Sequence, residues 1–304
     1  MSLCTLCPRE CGSKRNNESK SFCGESRDVT VSRAMLHMWE EPSVSGERGS
    51  GAIFFCGCNL RCVFCQNKTI SRGGGNRQKL TEAELESLIF KLRDAGAHNI
   101  NLVTPTHFAD TLARVLEKVK PRLDIPIVYN TSGYEKVKTL KMLDGLVDVY
   151  LPDFKYASSE LAAKYSSAPD YPEVAAAALC EMYRQVGKIT FDGDGIIKRG
   201  VIVRHLVLPS HRKDSIEVLD TIANTLPISD IRLSLMSQYT PEFALDTEYK
   251  NLHRRVTSFE YSSVLEHAVS LGFEGYFQER ASANESFTPN FDDGGFLHAL
   301  LFVL

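Results

Sequence analysis

Little in the sequence points to a membrane, a nucleic acid or the secretory route. None of the apolar runs in its 304 residues approaches the ~20 residues that a membrane-spanning helix needs. The chain has 35 Lys and Arg residues against 38 Asp and Glu residues, so its net charge of −3 gives no electrostatic footprint for bulk nucleic-acid binding. The first residues include cysteines and lack the apolar h-region of a secretory signal. With 43% hydrophobic residues the chain is not disordered, and we expect a globular, cytoplasmic protein.

Cysteine is the residue in informative excess. The chain has nine, and in a reducing compartment such a number is more typical of metal ligands or redox groups than of disulfides. Cys180 stands alone in a helical pattern, where we expect it to pack in the core. The others form two groups, which are Cys4, Cys7, Cys11 and Cys23, and then Cys56, Cys58, Cys62 and Cys65. Two groups predict two sites, with Cys56 as a packing residue beside the second.

From about residue 52, short apolar runs alternate with amphipathic helical patterns. One helix is predicted to begin at Thr81, with Glu84 in the capping-box position, and to end at Gly96. A longer helical region spans roughly residues 158–187. The predicted strands lie at residues 52–55, 99–103, 125–129, 147–151, 201–208 and 231–235. Continuous apolar strands that alternate with helices indicate an α/β fold with a parallel sheet covered by helices.

The choice within this class is between a barrel and a doubly wound sheet. No G-x-G-x-x-G sequence follows an early strand, which disfavours a dinucleotide-binding sheet. A barrel carries its chemistry on the loops after the strands, and the second cysteine group directly follows the first predicted strand. We therefore expect a barrel.

The second cysteine group contains the spacing C-x3-C-x2-C at Cys58, Cys62 and Cys65. Three soft thiolates at this spacing can hold three irons of a 4Fe-4S cluster, which leaves the fourth iron open to a substrate or cofactor. Two other interpretations are a zinc loop completed by a distant histidine and a set of buried, reduced cysteines.

With Phe64 before the last cysteine, this loop resembles the C-x3-C-x-(aromatic)-C motif of the radical S-adenosylmethionine (SAM) superfamily. Other segments resemble one branch of it, the homologues of pyruvate formate-lyase activating enzyme (PflX-like). These segments are residues 39–42, 45–46, 49–51, 54–67, 103–107, 128–134 and 150–155. The resemblance covers nearly the whole chain, from Cys4 to about Asp292.

The resemblance implies a partial (β/α)6 radical SAM barrel in residues 31–304, with a C-terminal tail, after a cysteine-rich metal-binding extension in residues 1–30. It also implies that the open iron binds the amino and carboxylate groups of SAM. A reductant such as flavodoxin or ferredoxin supplies an electron, and SAM is cleaved to a 5′-deoxyadenosyl radical that abstracts hydrogen from a substrate. The cofactor then carries the chemistry, and no catalytic residue is predicted beyond the cluster and SAM.

The resemblance places the SAM contacts at strand ends. The Gly-Gly-Glu stretch common in the superfamily is replaced here by Thr104, Pro105 and Thr106, whose backbone carbonyls can do the same work. Asp153 and Lys155 match the Asp-x-Lys of the activating enzymes, and Arg204 offers a planar fork for the SAM carboxylate. The alternative for these charged residues is a structural ion pair. The predicted cofactor-binding residues are Phe64, Thr104, Pro105, Thr106, Asn130, Thr131, Asp153, Lys155 and Arg204.

The first cysteine group supplies four thiolates within 20 residues, at Cys4, Cys7, Cys11 and Cys23. Four sulfurs suit a structural zinc ion or an auxiliary iron–sulfur cluster, and the third possibility is ordinary reduced cysteines. Either metal would order a polar segment that has little apolar surface to bury.

The resemblance favours the activation of a glycyl-radical enzyme, or hydrogen abstraction from another protein or peptide. One departure is that residues 45–50 read Ser-Gly-Glu-Arg-Gly-Ser, where activating enzymes usually carry Asp-Gly-Pro-Gly-x-Arg. Radical modification of a small molecule or an RNA is the alternative within the class. A non-catalytic metal-binding scaffold is the alternative outside it.

Overall fold

The structure is a computed structural model that describes residues 3–15, 21–278 and 288–296. In these residues the strands are β1 (Val29–His37), β2 (Ser50–Phe55), β3 (Gln78–Leu80), β4 (Ile100–Val103), β5 (Ile127–Thr131), β6 (Val149–Pro152), β7 (Thr190–Phe191), β8 (Ile197–Leu206), β9 (Arg232–Met236) and β10 (Gly275–Phe277). The α-helices are α1 (Pro42–Ser45), α2 (Lys68–Ser71), α3 (Glu82–Asp94), α4 (Ala109–Val119), α5 (Val137–Leu140), α6 (Ser159–Ser166), α7 (Tyr171–Val186), α8 (Arg212–Thr225) and α9 (Ser258–Ser270).

The strands form a mostly parallel sheet. Their order is β10-β9-β8-β6-β5-β4-β2-β1-β3, and β7 pairs with β8 outside this order. The neighbours from β2 to β10 run parallel, whereas β1 is antiparallel to β2 and β3. All six predicted strands are present and lie side by side in chain order, which confirms the α/β fold. The strands that the sequence did not predict are β1, which mixes polar and apolar residues, and the short β3, β7 and β10.

Helix boundaries follow local chemistry. The predicted capping box of α3 is confirmed, since Thr81 Oγ1 accepts from the Glu84 N–H at 3.2 Å and Glu84 Oε2 accepts from the Thr81 N–H at 2.7 Å. The helical region predicted for residues 158–187 is confirmed, and it consists of two helices, α6 and α7. Ser167 adopts a left-handed backbone with φ of 51°, which ends α6 and separates it from α7.

Cys180 corrects one expectation. The buried positions of α7 include Tyr171, Ala175, Ala178 and Met182, which recur at helical spacing on one face. Cys180 lies on the other face and is exposed, so it is not a core residue. Cys56, by contrast, is fully buried, as expected.

The N-terminal segment lies against the loop that follows β2. The backbone N–H of Cys58 donates to the carbonyl of Cys23 at 3.3 Å. Farther along the segment, the Leu6 carbonyl accepts from Thr139 Oγ1 at 2.6 Å. Glu25, which is buried, accepts from Arg77 Nη2 at 2.8 Å. The two cysteine groups of the sequence are therefore neighbours in the fold.

Gly57 allows this close contact. Its φ is +80°, and a Cβ atom there would lie 2.5 Å from Cγ of Glu25 and 2.6 Å from the carbonyl oxygen of Cys23. A left-handed backbone alone costs a residue with a Cβ roughly 1–2 kcal/mol. We expect Gly57→Ala to lower the free energy of unfolding by clearly more than that, because the N-terminal segment must also move.

Gly145→Ala is the matched control, since Gly145 has φ of +79° and no atom within 4 Å of its ideal Cβ. Urea denaturation followed by circular dichroism compares the two variants. Equal losses of stability would contradict the close packing of the N-terminal segment on the cysteine loop.

A search of the described helices finds none that is long and apolar enough to cross a membrane. The part of the predicted C-terminal tail that follows residue 296 lies outside the described residues.

Candidate functional site

A cavity of about 210 Å³ lies where the parallel strands end. Because the carboxyl ends of parallel strands meet at one edge, the loops after β2, β4, β5 and β6 all contribute to its wall. The predicted site residues that line it are Cys58, Cys62, Phe64, Cys65, Thr104, Asn130, Thr131, Asp153, Lys155 and Arg204. The structure thus brings together residues that are separated by almost 150 positions in the sequence.

The cysteine loop places its three thiols in a largely buried position. Cys58 and Cys62 are buried, Cys65 is half-buried, and all three are free thiols. The Sγ of Cys58 accepts from the backbone N–H of Leu60 at 3.3 Å. Burial raises the pKa of Cys65 to about 12 and also raises the pKa of Cys58. Without a metal the thiols of Cys58 and Cys65 therefore stay protonated, whereas a bound metal deprotonates its ligand.

The donor set suits a cluster better than a single ion. No three His, Cys, Asp or Glu side chains in the described ranges are arranged to hold one metal ion. A 4Fe-4S cluster does not need such convergence, because each thiolate binds a different iron. The positive charge of Lys155 acts on both Cys58 and Cys65 and opposes the rise of their pKa values that burial causes, which favours the thiolate form. The three cysteines therefore fit an iron–sulfur cluster by donor type, burial and nearby charge.

Lys155 and Asp153 form an ion pair in the cavity wall. Lys155 Nζ donates to Asp153 Oδ2 at 2.6 Å. Burial opposes the ionisation of Asp153, but Lys155 and Arg204 outweigh it and hold the pKa of this carboxyl below its ordinary value. An ammonium has three donors and Asp153 takes one of them, so Lys155 is able to bind a second carboxylate in the cavity.

Arg204 is the centre of a wider network. Its Nε donates to Asp153 Oδ1 at 3.0 Å, its Nη1 to Glu40 Oε2 at 3.2 Å and its Nη2 to Asn130 Oδ1 at 2.5 Å. Three of the five guanidinium N–H groups thus donate to acceptors of the protein. The structural ion pair that was the alternative for Arg204 is present, and the binding of a SAM carboxylate by its two other N–H groups stays a prediction.

Glu40 is the principal residue that the sequence analysis missed. It lines the cavity, and its Oε1 accepts from Asn101 Nδ2 at 2.9 Å and Asn130 Nδ2 at 3.1 Å. Glu40 follows β1, a strand that the sequence did not predict, so nothing placed it at the sheet edge. The clue in the sequence was that Glu40 lies in the segment 39–42, which carries part of the family resemblance. The neighbouring Trp39 also lines the cavity, and it is 62% exposed.

Of the three residues in the predicted Thr104–Thr106 stretch, only the first lines the cavity. Thr104 lines the cavity with a left-handed backbone, φ of 60°, whereas Pro105 and Thr106 are not part of the wall. Thr106 is buried, and its hydroxyl donates to Glu135 Oε1 at 2.5 Å. Burial raises the pKa of Glu135 to about 7. The hydroxyl of Thr106 thus donates to a buried carboxyl group outside the cavity wall.

The first cysteine group is only partly assembled. Cys7 and Cys23 are buried, Cys4 is half-buried and Cys11 is exposed. Burial raises the pKa of Cys7 to about 12, and the nearby Cys23 and Cys4 contribute in the same direction. The hydroxyl of Ser21 lies 3.1 Å from Cys23 Sγ. Cys4 and Cys23 are thus near enough to Cys7 to affect its charge, but no three of these cysteines converge on one metal position in the described part of the chain.

Comparisons with known proteins agree with the cysteine loop. A family model described as the Radical SAM superfamily matches residues 52–222, which is more than half of the chain. The chain is 32% identical over 280 residues to the uncharacterized protein MJ0674 of Methanocaldococcus jannaschii, a match that covers 86% of this chain and 73% of that protein.

Solved structures give weaker likenesses. Streptococcus suis SuiB bound to S-adenosylmethionine has a TM-score of 0.47 and 16% identity over 73% of this chain and 47% of SuiB. Methylornithine synthase (PylB) has a TM-score of 0.47 and 18% identity over 78% of this chain and 67% of PylB. The chain thus spans about half the length of SuiB.

Proposed function

Because the chain belongs to the radical SAM superfamily, we propose that it cleaves SAM reductively at a 4Fe-4S cluster held by Cys58, Cys62 and Cys65. The observation that carries the proposal is that the three thiols line the same strand-end cavity as Lys155 and Glu40. When bound, the reduced cluster supplies the electron that breaks a C–S bond of SAM to give a 5′-deoxyadenosyl radical.

The surrounding residues bind and orient SAM. Lys155 donates to the SAM carboxylate, while Asp153 holds the ammonium group of Lys155 in place. Arg204 holds Asp153, Glu40 and Asn130 in one arrangement with three of its five N–H groups, which leaves two to donate to SAM. The left-handed backbone of Thr104 presents carbonyl groups to the SAM amino group at the place of the superfamily's Gly-Gly-Glu.

Phe64 closes the site from the side of the cysteine loop. Its ring packs against the rings of Tyr156, Tyr165 and Tyr239 at 6.5, 6.3 and 6.1 Å. This aromatic wall excludes water from the radical chemistry, and low polarity strengthens the charge interactions inside.

The domain organisation follows from the same assignment. We interpret residues 31–304 as a partial (β/α)6 radical SAM barrel and residues 1–30 as a metal-binding extension. We assign Cys4, Cys7, Cys11 and Cys23 to a second metal site: zinc requires the four side chains to converge on one ion, whereas in an auxiliary iron–sulfur cluster each thiolate binds a different iron. Flavodoxin or ferredoxin is the reductant.

A protein or peptide is the proposed substrate, with a glycyl-radical enzyme as the first candidate. The support is Trp39 at the cavity wall, because aromatic side chains are enriched where proteins bind one another. A small molecule would bind inside the cavity without Trp39, whereas a base of an RNA substrate would stack on it.

The test is SAM cleavage by the anaerobically reconstituted, reduced protein. We expect 5′-deoxyadenosine to form with dithionite or reduced flavodoxin as the reductant. Protein that carries a full complement of iron and yields no 5′-deoxyadenosine would instead support a metal-binding scaffold. A glycyl radical on an added partner, detected by electron paramagnetic resonance, identifies the first substrate candidate.

A further inference from the structure

The end of α6 contacts one of the cluster cysteines through a side chain. The Ser166 hydroxyl donates to Cys62 Sγ at 3.1 Å, and the Tyr156 hydroxyl lies 2.8 Å from Ser166 Oγ. Both residues are buried. A serine hydroxyl has one proton, so when Ser166 donates to the sulfur, Tyr156 donates to Ser166. We call Tyr156 and Ser166 the hydroxyl chain.

The hydroxyl chain is held firmly against the cysteine loop. The backbone N–H of Val63 donates to the Tyr165 carbonyl at 2.9 Å. Arg9, from the N-terminal segment, donates from Nε to the Asn59 carbonyl at 2.8 Å and from Nη2 to the Ser166 carbonyl at 2.7 Å. These contacts tie the end of α6 to the loop, so the hydroxyl of Ser166 keeps its position while the charge on the sulfur changes.

We infer that the hydroxyl chain raises the reduction potential of the cluster. This inference rests on the proposed function, since it needs a cluster bound by Cys62. Reduction adds one electron from an external reductant, here dithionite, and increases the negative charge on the ligand sulfurs without moving a proton. A hydrogen bond donated to such a sulfur therefore stabilises the reduced state more than the oxidised state. Two hydroxyls in series polarise each other and strengthen the effect.

The hydroxyl chain is distinct from the other interactions of the cysteines. Cys58 accepts from the backbone N–H of Leu60, an interaction that side-chain changes at α6 leave in place. The charge of Lys155 acts on Cys58, Cys62 and Cys65, and changes at Ser166 or Tyr156 leave this charge in place. A purely structural role would be to satisfy two buried hydroxyls, and such a role predicts no change in potential.

The experiment is an anaerobic dithionite titration of reconstituted protein, without SAM, followed by electron paramagnetic resonance. We expect Ser166→Ala to shift the midpoint to a more negative potential, because the donor to Cys62 is lost. Tyr156→Phe keeps the ring and the serine but removes the second hydroxyl, so we expect a smaller shift in the same direction.

Tyr165→Phe is the matched control. The ring of Tyr165 packs on Phe64 as that of Tyr156 does, but its hydroxyl lies 2.8 Å from His211 Nε2 and away from the cysteines. The midpoint potential of the cluster in the Tyr165→Phe variant should equal that of the wild type. Iron content and thermal unfolding establish that each variant is folded and loaded. If Ser166→Ala does not take up a cluster, Tyr156→Phe, which leaves Ser166 in place, decides the question.

The two possible failures are distinguishable. Wild-type protein that binds no 4Fe-4S cluster would refute the proposed function. The inference would be overturned if the loaded wild type, Ser166→Ala and Tyr156→Phe all had the same midpoint potential. It would also be overturned if Tyr165→Phe shifted the potential as much as Ser166→Ala does. Either result would leave the proposed function standing.

Discussion

Replacing Cys58, Cys62 and Cys65 together by alanine is expected to abolish 5′-deoxyadenosine formation. The three thiols line one cavity, and the ammonium of Lys155 interacts with the charge of each of them. Removing all of them leaves no soft donor in the loop, and an oxygen or nitrogen ligand does not replace thiolate for this cluster. The loss should be complete, because SAM cleavage needs the electron that the cluster supplies.

The matched controls are Cys56→Ala and Cys180→Ala. Cys56 lies two residues before the loop but is fully buried beside it and outside the cavity wall, and Cys180 is exposed on α7. Both variants should retain SAM cleavage. Iron that remains in the triple variant would belong to the N-terminal cysteines, and stoichiometric zinc there would identify that site as structural. SAM cleavage by the triple variant at the wild-type rate would refute the assignment of the cluster.

The second large effect is expected for Arg204→Ala, and it concerns stability. The variant leaves Asp153 and Glu40 without the guanidinium that pairs with both. Glu41, which is buried nearby, loses a charge that opposes the rise of its pKa. Removing one partner from a buried charge network typically costs about 3–5 kcal/mol of unfolding free energy, because the remaining charges stay buried. Denaturant unfolding measures this loss.

Arg114→Ala provides the comparison. Arg114 pairs with Glu82 on the surface, where solvent screens the charges. We expect the unfolding free energy of this variant to stay close to that of the wild type. If Arg204→Ala were no less stable than Arg114→Ala, the network around Arg204 would not be the support of the cavity wall that we describe.

The sequence predicted the parts of the molecule that depend on local pattern. Six buried parallel strands appear as continuous apolar runs, and the cysteine loop appears as a fixed spacing at the end of the first of them. Asn130, Asp153 and Lys155 could be placed in the site because each follows a predicted strand. Parallel pairing then brings these strand ends together without further information.

The remaining features depend on contacts between distant parts of the chain. Ser166 meets Cys62 across 104 positions, and Arg9 reaches the Ser166 carbonyl across 157. No periodicity encodes such contacts. Glu40 was missed because β1 mixes polar and apolar residues, and the direction of the Thr106 side chain depends on the buried Glu135.

The most direct test of the central claim is the electron paramagnetic resonance spectrum of the reduced, reconstituted protein with and without SAM. The claim is that three cysteines hold a 4Fe-4S cluster and leave one iron open to SAM. We predict a reduced 4Fe-4S signal that changes when SAM is added and that is absent from the Cys58→Ala/Cys62→Ala/Cys65→Ala variant. A fully loaded wild type whose signal is the same with and without SAM would contradict it.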